Sequence, residues 1–334
     1  MADVANRPGV VTTPDFDAAT RALGDRVRRD VSLAPSTTLR VGGTAALLIR
    51  VSDPEELFDI RAVVQRFGLD VLCVGQGSNL LIADGGFPGL VLEFAGLFEE
   101  ITLRGPTVTA GAAVKLPILA RKTAAAGLTG LEWAVGVPGS VGGAVAMNAG
   151  GHGSDVGANL HHVRVIDLRG AGPIEERSVS DLDLAYRHSA IGSKEVVLDA
   201  TFELRPGDRT RSEVEISEIV RWRREHQPGG ANCGSVFTNP PGDSAGRLID
   251  RAGLRGARHG SASVSEKHAN FIQADESALA ADIWGLIQHV REEVYRVSGV
   301  LLQPEVRTVG LGALPDPTPR ATEFERPNDH ASAS

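Results

Sequence analysis

The chain has 334 residues, enough for two or three domains, and with 42% hydrophobic and 23% charged residues it is not disordered throughout. A formal net charge of −8 excludes a general nucleic-acid binder, since no surplus of cations neutralises phosphate along the surface. No apolar run approaches the ~18 residues of a spanning helix, and the start, MADVANRPGVVTTPDFD, lacks the basic-then-apolar order of a signal peptide, so a cytoplasmic protein without membrane insertion is expected.

Residues 1–32 mix short polar runs with one weak helical segment, and they are expected to form a mobile extension without assigned function. The first clear pattern is a β-α-β unit: AALLIRVS (45–52), PEELFDIRAVVQRFG (54–68) and DVLCVG (70–75). In its middle segment Leu57, Ile60, Val63, Val64 and Phe67 fall at helical spacing, with Pro54 at an allowed first-turn position. LLIADGG, GLVLEF, EEITLRG and TVTAGAAV then read as short strands joined by tight turns. A helix from Leu116 to Ala126 ends at Gly127, and after a glycine-rich stretch HHVRVIDLRG and EVVLDATFELRPG read as strands. Near residue 207 the texture changes to SEVEISEIVRWRREHQ, SAGRLIDRAGLRG and ESALAADIWGLIQHVREEVYRVSG, three helical patterns alternating with strand candidates ANFIQA and PEVRTVG. A domain boundary is expected there. The ending PTPRATEFERPNDHASAS is Pro-rich and polar, and residues 311–334 are expected to be disordered.

The two cysteines, Cys73 and Cys233, lack CxxC spacing, so neither a disulfide framework nor a metal site is expected, and both thiols are expected to be buried. VGQGSNLL (74–81) follows a strand and offers successive amides that can form a concave anion site. It is not a dinucleotide fingerprint, because position 80 is Leu instead of the third glycine, and an ordinary turn is the alternative.

GLEWAVGVPGSVGGAVAMNAGGHG (130–153) contains eight glycines in 24 residues. Gly136, Gly139, Gly142 and Gly143 surround Pro138, which argues against a helix through them, while interleaved Val135, Val137, Val141, Ala144, Val145, Ala146 and Met147 imply a buried, ordered loop. Glycine at this density lets backbone amides approach a ligand without an intervening Cβ; close packing of backbone on backbone is the alternative. GxxxxGK[ST], HExxH and GxSxG are all absent, so P-loop, zincin and elbow-type serine chemistry lack support.

Between Arg221 and His268 eight basic residues face four acidic ones, a local excess that suits an anionic small molecule. Arg247, Arg251 and Arg255 recur every four residues, as on one helix face, where a solvated stripe is the simpler reading. Arg187 in LAYRHSA, Ser235 in CGSVFTNP and Glu305 in LLQPEVRTVG stand out as polar groups in apolar or glycine-rich settings, although spacing alone does not bring them together.

Taken in order, TTLRVGG (37–43), VGQGSNLL, the 130–153 stretch, YRHS (186–189), QP…CGSVFTNPP (227–241), AGRLIDRAGLRG (245–256), VSEKHANFI (264–272) and QPEVRTVG (303–310) resemble the UDP-N-acetylenolpyruvoylglucosamine reductase family over residues 33–310. The resemblance implies an α+β chain: a two-subdomain FAD-binding domain of the vanillyl-alcohol-oxidase (PCMH) type at 33–207, split near residue 95, followed by an α+β substrate-binding domain at 208–310. The short path from Ser189 to Glu195 resembles the subgroup without an inserted substrate-closing loop.

By the same resemblance FAD is bound noncovalently, as VGQGSN has no histidine for a covalent link, and NADPH is the co-substrate. The cofactor positions carried over are Gly75, Gln76, Gly77, Ser78, Asn79, Leu80 and Gly111, then Gly136, Val137, Pro138, Gly139, Ser140, Gly143, Ala144, Asn148 and Gly150. The catalytic set falls on Arg187, Ser235 and Glu305. In the implied reaction a hydride passes from flavin N5 to C3 of the UDP-N-acetylglucosamine enolpyruvate, Ser235 protonates C2, and Arg187 with a protonated Glu305 stabilises the enolate. Tyr186, Arg223 or Arg224, Asn239 and Lys267 are the candidate substrate contacts, and a monomer or weak oligomer is expected. Two other readings are a flavin oxidase of the same superfamily, against which the complete catalytic set argues, and a nonenzymatic nucleotide-sugar or flavin binder.

Overall fold

The structure is a computed structural model that describes residues 14–317. Its first part runs α1 (Phe16–Leu23), β1 (Val27–Ser32), β2 (Thr44–Val51), α2 (Glu56–Phe67), β3 (Val71–Val74), β4 (Leu80–Ile82) and β5 (Phe87–Phe94). Four of these strands form a sheet in the order β1-β2-β5-β3, antiparallel between β1 and β2 and parallel from β2 to β3. The expected β-α-β unit is therefore present, with β5 inserted between its two strands. In α2 the residues Leu57, Ile60, Val63 and Val64 are buried, and the helix stops at Gly68, whose φ of 62° is left-handed. It begins two residues after Pro54, because the Glu56 carboxylate accepts from the amides of Ser52 and Asp53 and closes a turn ahead of the helix.

Residues 14–32 are part of the fold, contrary to the expected mobile extension. Asp15 caps α1, and Ala19, Leu23 and Val27 enter the main core. The polar look of VRRDVS has a simple cause: β1 is an edge strand that pairs only with β2, so Arg28, Arg29 and Asp30 face solvent. Residues 1–13 lie outside the described residues.

The middle part contains β6 (Ile101–Arg104), β7 (Thr107–Gly111), α3 (Leu116–Ala125), β8 (Leu128–Thr129), α4 (Val141–Met147), the hairpin β9 (Gly150–Gly151) and β10 (Ser154–Asp155), β11 (Leu160–Asp167), β12 (Glu175–Ser178), β13 (Glu195–Glu203) and β14 (Arg205–Pro206). Its main sheet is antiparallel, in the order β12-β11-β13-β7-β6, and it shares one hydrophobic cluster with the first sheet. Helix α5 (Arg209–His226) starts where the texture changes near 207, yet its buried Ile216 and Ile219 join this same cluster. Ser212 Oγ donates to Glu132 Oε1 at 2.5 Å, fastening α5 to the 3-10 turn Glu132–Gly136.

The last part comprises α6 (Ala245–Arg251), β15 (Arg258–His259), β16 (Ala262–Val264), β17 (Ile272–Ala274), α7 (Ala280–Ser298) and β18 (Arg307–Val309). It has its own core, built on Leu248, Ile249, Ile283, Leu286, Ile287 and Val290, and the N-terminal part adds Leu39, Val41 and Leu81 to it. The parts are joined further by parallel pairing of β18 with β4 and by Asp84, whose carboxylate accepts from the amides of Ala280 (2.8 Å) and Ala281 (3.0 Å) at the start of α7.

Residues 311–317 are held in place, which corrects the expected disorder from 311 onward. Leu311 and Leu314 pack on the second core, and the buried Arg291 donates to the carbonyls of Leu302 and Pro315 and to the Asp316 carboxylate. Residues 318–334 lie outside the described residues. Cys233 is buried as expected, but Cys73 is exposed because β3 is the other edge of the first sheet. No helix among the described residues is long and apolar enough to cross a membrane.

Asp84 satisfies two of the four orphan amides of α7 from another part of the chain. Asp84→Ala is expected to lower unfolding stability by about 1–2 kcal/mol, read from the urea midpoint at unchanged slope.

Candidate active site

Two glycine loops meet beyond the end of β3. A Cβ on Gly75 would lie 2.2 Å from Ser140 Oγ, and one on Gly139 would lie 3.4 Å from Ser78 Oγ. Gly77 has φ +58°, and its Cβ would fall 2.0 Å from the Ser36 carbonyl, so glycine is required there on both grounds. The amides of Gly75, Gln76, Gly77, Ser78 and Asn79, like those of Gly139 and Ser140, have no protein acceptor among the described residues. Neighbouring donors of this kind form a concave anion-binding surface, and a diphosphate such as that of FAD suits it.

The 137–143 loop is pinned to the corner between β7 and α3. Leu116 N donates to Gly139 O, Val141 N to Val114 O, and Gly142 N to Ala112 O, at 2.9–3.0 Å. The expectation that no helix passes through these glycines is overturned: α4 contains Gly142 and Gly143. A Cβ on Gly142 would lie 2.9 Å from the Ala112 Cβ, so a bare residue lets the helix lie directly on that corner. Val141, Ala144 and Val145 are its buried side, at i, i+3 and i+4, a helical period within what read as a loop.

The remaining expected cofactor positions are unevenly placed. Pro138 and Gly143 are exposed, and Val137 and Leu80 are half-buried. Ser140 and Ala144 are buried. Gly136 is closed off by His152 and Ile219, and Gly111 by the Phe98 backbone, so both serve protein packing. Asn148 is buried with its side-chain amide committed to protein partners at Ala185 and Gly157, and Gly150 presents its carbonyl to Arg187.

Arg187, Ser235 and Glu305 are brought together although they lie far apart in sequence. Arg187 sits in a turn closed by mutual backbone hydrogen bonds between Ala185 and His188, and has a left-handed φ of 57°. Its Nε donates to Glu305 Oε1 at 2.7 Å, its Nη2 donates to Gly150 O at 3.0 Å, and its guanidinium lies 5.0 Å from the Tyr186 ring centre. Glu305 is fixed from both sides: its amide donates to Val236 O at 2.7 Å and its carbonyl accepts from Asn79 Nδ2 at 3.0 Å. The first bond brings the Ser235–Val236 segment alongside Glu305, and the second ties Glu305 to the glycine loop after β3.

Burial pushes the Glu305 pKa above its ordinary value, with Arg187 pulling the other way. Burial pushes the Cys233 thiol up to about 12, so this neighbour remains protonated and inert.

Of the expected substrate contacts, Tyr186 is largely exposed, while Arg223 is half-buried and donates to Gln227 Oε1 at 2.9 Å. Arg224 points to solvent, and its carbonyl accepts from Lys267 Nζ at 2.6 Å, beside a cleft of about 390 Å³ lined by Lys267, Arg258 and Gln273. Asn239 Oδ1 accepts from the Ala245 amide at the head of α6 at 3.0 Å. The arginine stripe is broken, because α6 ends at Arg251 and Gly253 turns the chain with φ +73°, leaving Arg255 outside the helix and paired with Asp250.

Sequence reasoning passed over Arg307 and the aromatic group on α5. Arg307 Nη2 donates to the Ala146 carbonyl at 3.1 Å, and no acidic side chain among the described residues pairs with it. Its signal was its place two residues after Glu305 in PEVRTV, within the same motif. Trp222 stacks on His226 with ring centres 4.7 Å apart and meets His152 edge-on at 5.2 Å. Burial and, secondarily, Arg223 hold the His152 pKa below its usual value.

Known proteins share this arrangement. The family model described as "FAD binding domain" matches residues 45–172, and that described as "UDP-N-acetylenolpyruvoylglucosamine reductase, C-terminal domain" matches residues 226–309. UDP-N-acetylenolpyruvoylglucosamine reductase 2 of Symbiobacterium thermophilum is 42% identical over 85% of this chain and 92% of its own length. The reductase of Synechococcus sp. WH7803 is 44% identical over 85% and 94%. The crystal structure of the Thermus caldophilus reductase superimposes with a TM-score of 0.74 at 35% identity, covering 85% of this chain and 99% of that one. With a PCMH-type FAD-binding domain joined to this C-terminal domain, the chain belongs to the UDP-N-acetylenolpyruvoylglucosamine reductase family.

Proposed function

We propose that the protein is an NADPH-dependent flavoenzyme that reduces UDP-N-acetylglucosamine enolpyruvate to UDP-N-acetylmuramate in the cytoplasm, with Arg187, Ser235 and Glu305 as its catalytic residues. The observation that carries this reading is the meeting of the Arg187–Glu305 pair and the Ser235 segment beside a glycine-lined anion surface. FAD, when bound, supplies the hydride chemistry between NADPH and C3 of the enol ether.

The protein's own groups handle the charge and the proton. Reduction at C3 leaves a carbanion at C2 that is an enolate of the adjacent carboxylate. The Arg187 guanidinium meets the growing negative charge on those oxygens from a position already fixed by Gly150 O. Glu305 helps only as a neutral acid, since a second carboxylate would repel the enolate. A substrate carboxylate at the guanidinium competes with Glu305 for the charge that favours its ionised form, while burial favours the neutral acid. Ser235 delivers the proton to C2, a transfer open to a hydroxyl because the carbanion is a strong base. Arg307, which has no acidic partner among the described residues, is a cation available to a diphosphate, as are Arg223 and Lys267.

Ser235→Ala is expected to leave NADPH bleaching of the flavin band near ~450 nm almost intact and to slow substrate-driven recovery under anaerobic conditions by ~10²–10⁴-fold. Parallel loss of both half-reactions would refute the proton-donor role. Recovery with oxygen but not with substrate would indicate an oxidase, and a protein devoid of flavin would refute both enzyme readings.

Because the Glu305 pKa is raised and its protonated form is the active one, the substrate step should weaken as pH rises through that pKa, at a pH above the ordinary 4.5. Glu305→Gln keeps a neutral donor and removes the titration, so this limb should vanish from a slower rate profile. A limb unchanged in the variant would assign it to another group.

A further inference from the structure

The turn that carries Arg187 is unfavourable in itself. Arg187 and Asp183 both have left-handed φ, at 57° and 43°, and a non-glycine residue persists there only when its surroundings over-determine the backbone. Within the turn, the backbone of Ala185 pairs with His188 on either side of Arg187. The side chain that grips this turn is Asn148. It is 4% exposed, its Nδ2 donates to the Ala185 carbonyl at 3.0 Å, and its Oδ1 accepts from the Gly157 amide at 3.0 Å. Nδ2 also lies 3.5 Å from Asp155 Oδ2, at the outer limit of a hydrogen bond.

Asn148 is itself left-handed, with φ 41°, where it closes α4, a conformation that asparagine tolerates better than most residues. Two residues further on, the Gly150 carbonyl takes the guanidinium of Arg187. The 148–150 segment thus holds Arg187 twice, by the turn backbone through Asn148 and by the head group through Gly150.

We infer that Asn148 is a positioning residue for Arg187, coupling the end of the glycine-rich helix α4 to the guanidinium, and is not a contact of the cofactor. This rests on the reading of Arg187 as the enolate partner. Nδ2 gives one hydrogen to the Ala185 carbonyl and Oδ1 takes the Gly157 amide, so the side chain is oriented by protein partners, and a loosened turn would let Arg187 drift from its place between Gly150 and Glu305. A displacement of about 1 Å at such a group costs on the order of a hundredfold in rate.

The test uses the flavin-loaded enzyme. Asn148→Asp keeps the shape, the tolerance of left-handed φ and the acceptor for Gly157, but turns the Ala185 donor into an acceptor; Asn148→Gly keeps the φ and drops the side chain, in case the new carboxylate disturbs folding beside Asp155. Both variants are expected to retain FAD at wild-type stoichiometry and to bleach with NADPH at near wild-type rates, while substrate-driven recovery slows by about 10–100-fold. In an Arg187→Lys background the same substitutions should add less than about twofold, because residues acting as a unit are not additive. Loss of FAD or of NADPH bleaching, or effects that multiply in the double variant, would overturn the inference. A slow Arg187→Lys beside an unimpaired Asn148→Asp would overturn it alone, whereas an unimpaired Arg187→Lys would overturn the reading of Arg187 on which it rests.

Discussion

The ion pair between Arg187 and Glu305 is the constraint around which the rest of the molecule is arranged. Its partners are separated by 118 positions, and each stands on a different part of the fold. Arg187 is presented by a turn between β12 and β13 of the antiparallel middle part, and Glu305 by the stretch leading into β18. An ion pair between half-buried groups is worth little unless both ends are already fixed, because ordering two long side chains costs entropy. Here the fixing is done by backbone: the Ala185–His188 turn and Gly150 on one side, Val236 and Asn79 on the other.

The same demand explains how the last part of the chain is attached. A substrate domain joined by a bare linker would leave the Glu305 position to chance. Instead β18 extends β4, Asp84 caps α7, and Leu39, Val41 and Leu81 are buried in the second core. The loop that offers its amides at Gly75–Asn79 runs directly into β4, and Glu305 stands two residues before β18, the strand that pairs with β4. The glycine loop and the Glu305 carboxylate are thereby held in one frame, by the pairing of β4 with β18 and by the bond from Asn79 to the Glu305 carbonyl.

Much of the fold was legible because its helices carry strong periods. Leu57, Ile60, Val63 and Val64 in α2 and the apolar side of α7 announced themselves at helical spacing, and family motifs gave the three catalytic candidates. Where the reading failed, the deciding interaction lay elsewhere in the chain. Gly142 reads as a helix breaker, and only the proximity of Ala112 makes a side chain impossible and a helix sensible. VRRDVS reads as a polar run until β2 is known to lie beside it. Asn148 lies inside a glycine-rich motif that suggested cofactor contact, and its amide is taken by Ala185 and Gly157, which no local pattern predicts. Arg307 was in plain sight two residues after Glu305, but that nearness matters only once Glu305 is known to meet Arg187.

Arg291 shows how far a folding unit can extend past the region that defines a family. The family match ends at residue 309, whereas this guanidinium, 5% exposed on α7, finds two of its three acceptors at Pro315 and Asp316. A chain trimmed at the edge of the match would keep every residue of the catalytic set and leave a buried cation with the Leu302 carbonyl as its remaining partner. Loss of Pro315 and Asp316 would remove two of the three bonds that hold this guanidinium in place and so loosen α7. The short strap after β18 is thus part of what anchors α7, and the piece of the sequence that packs as one unit is longer than the piece that similarity would mark out.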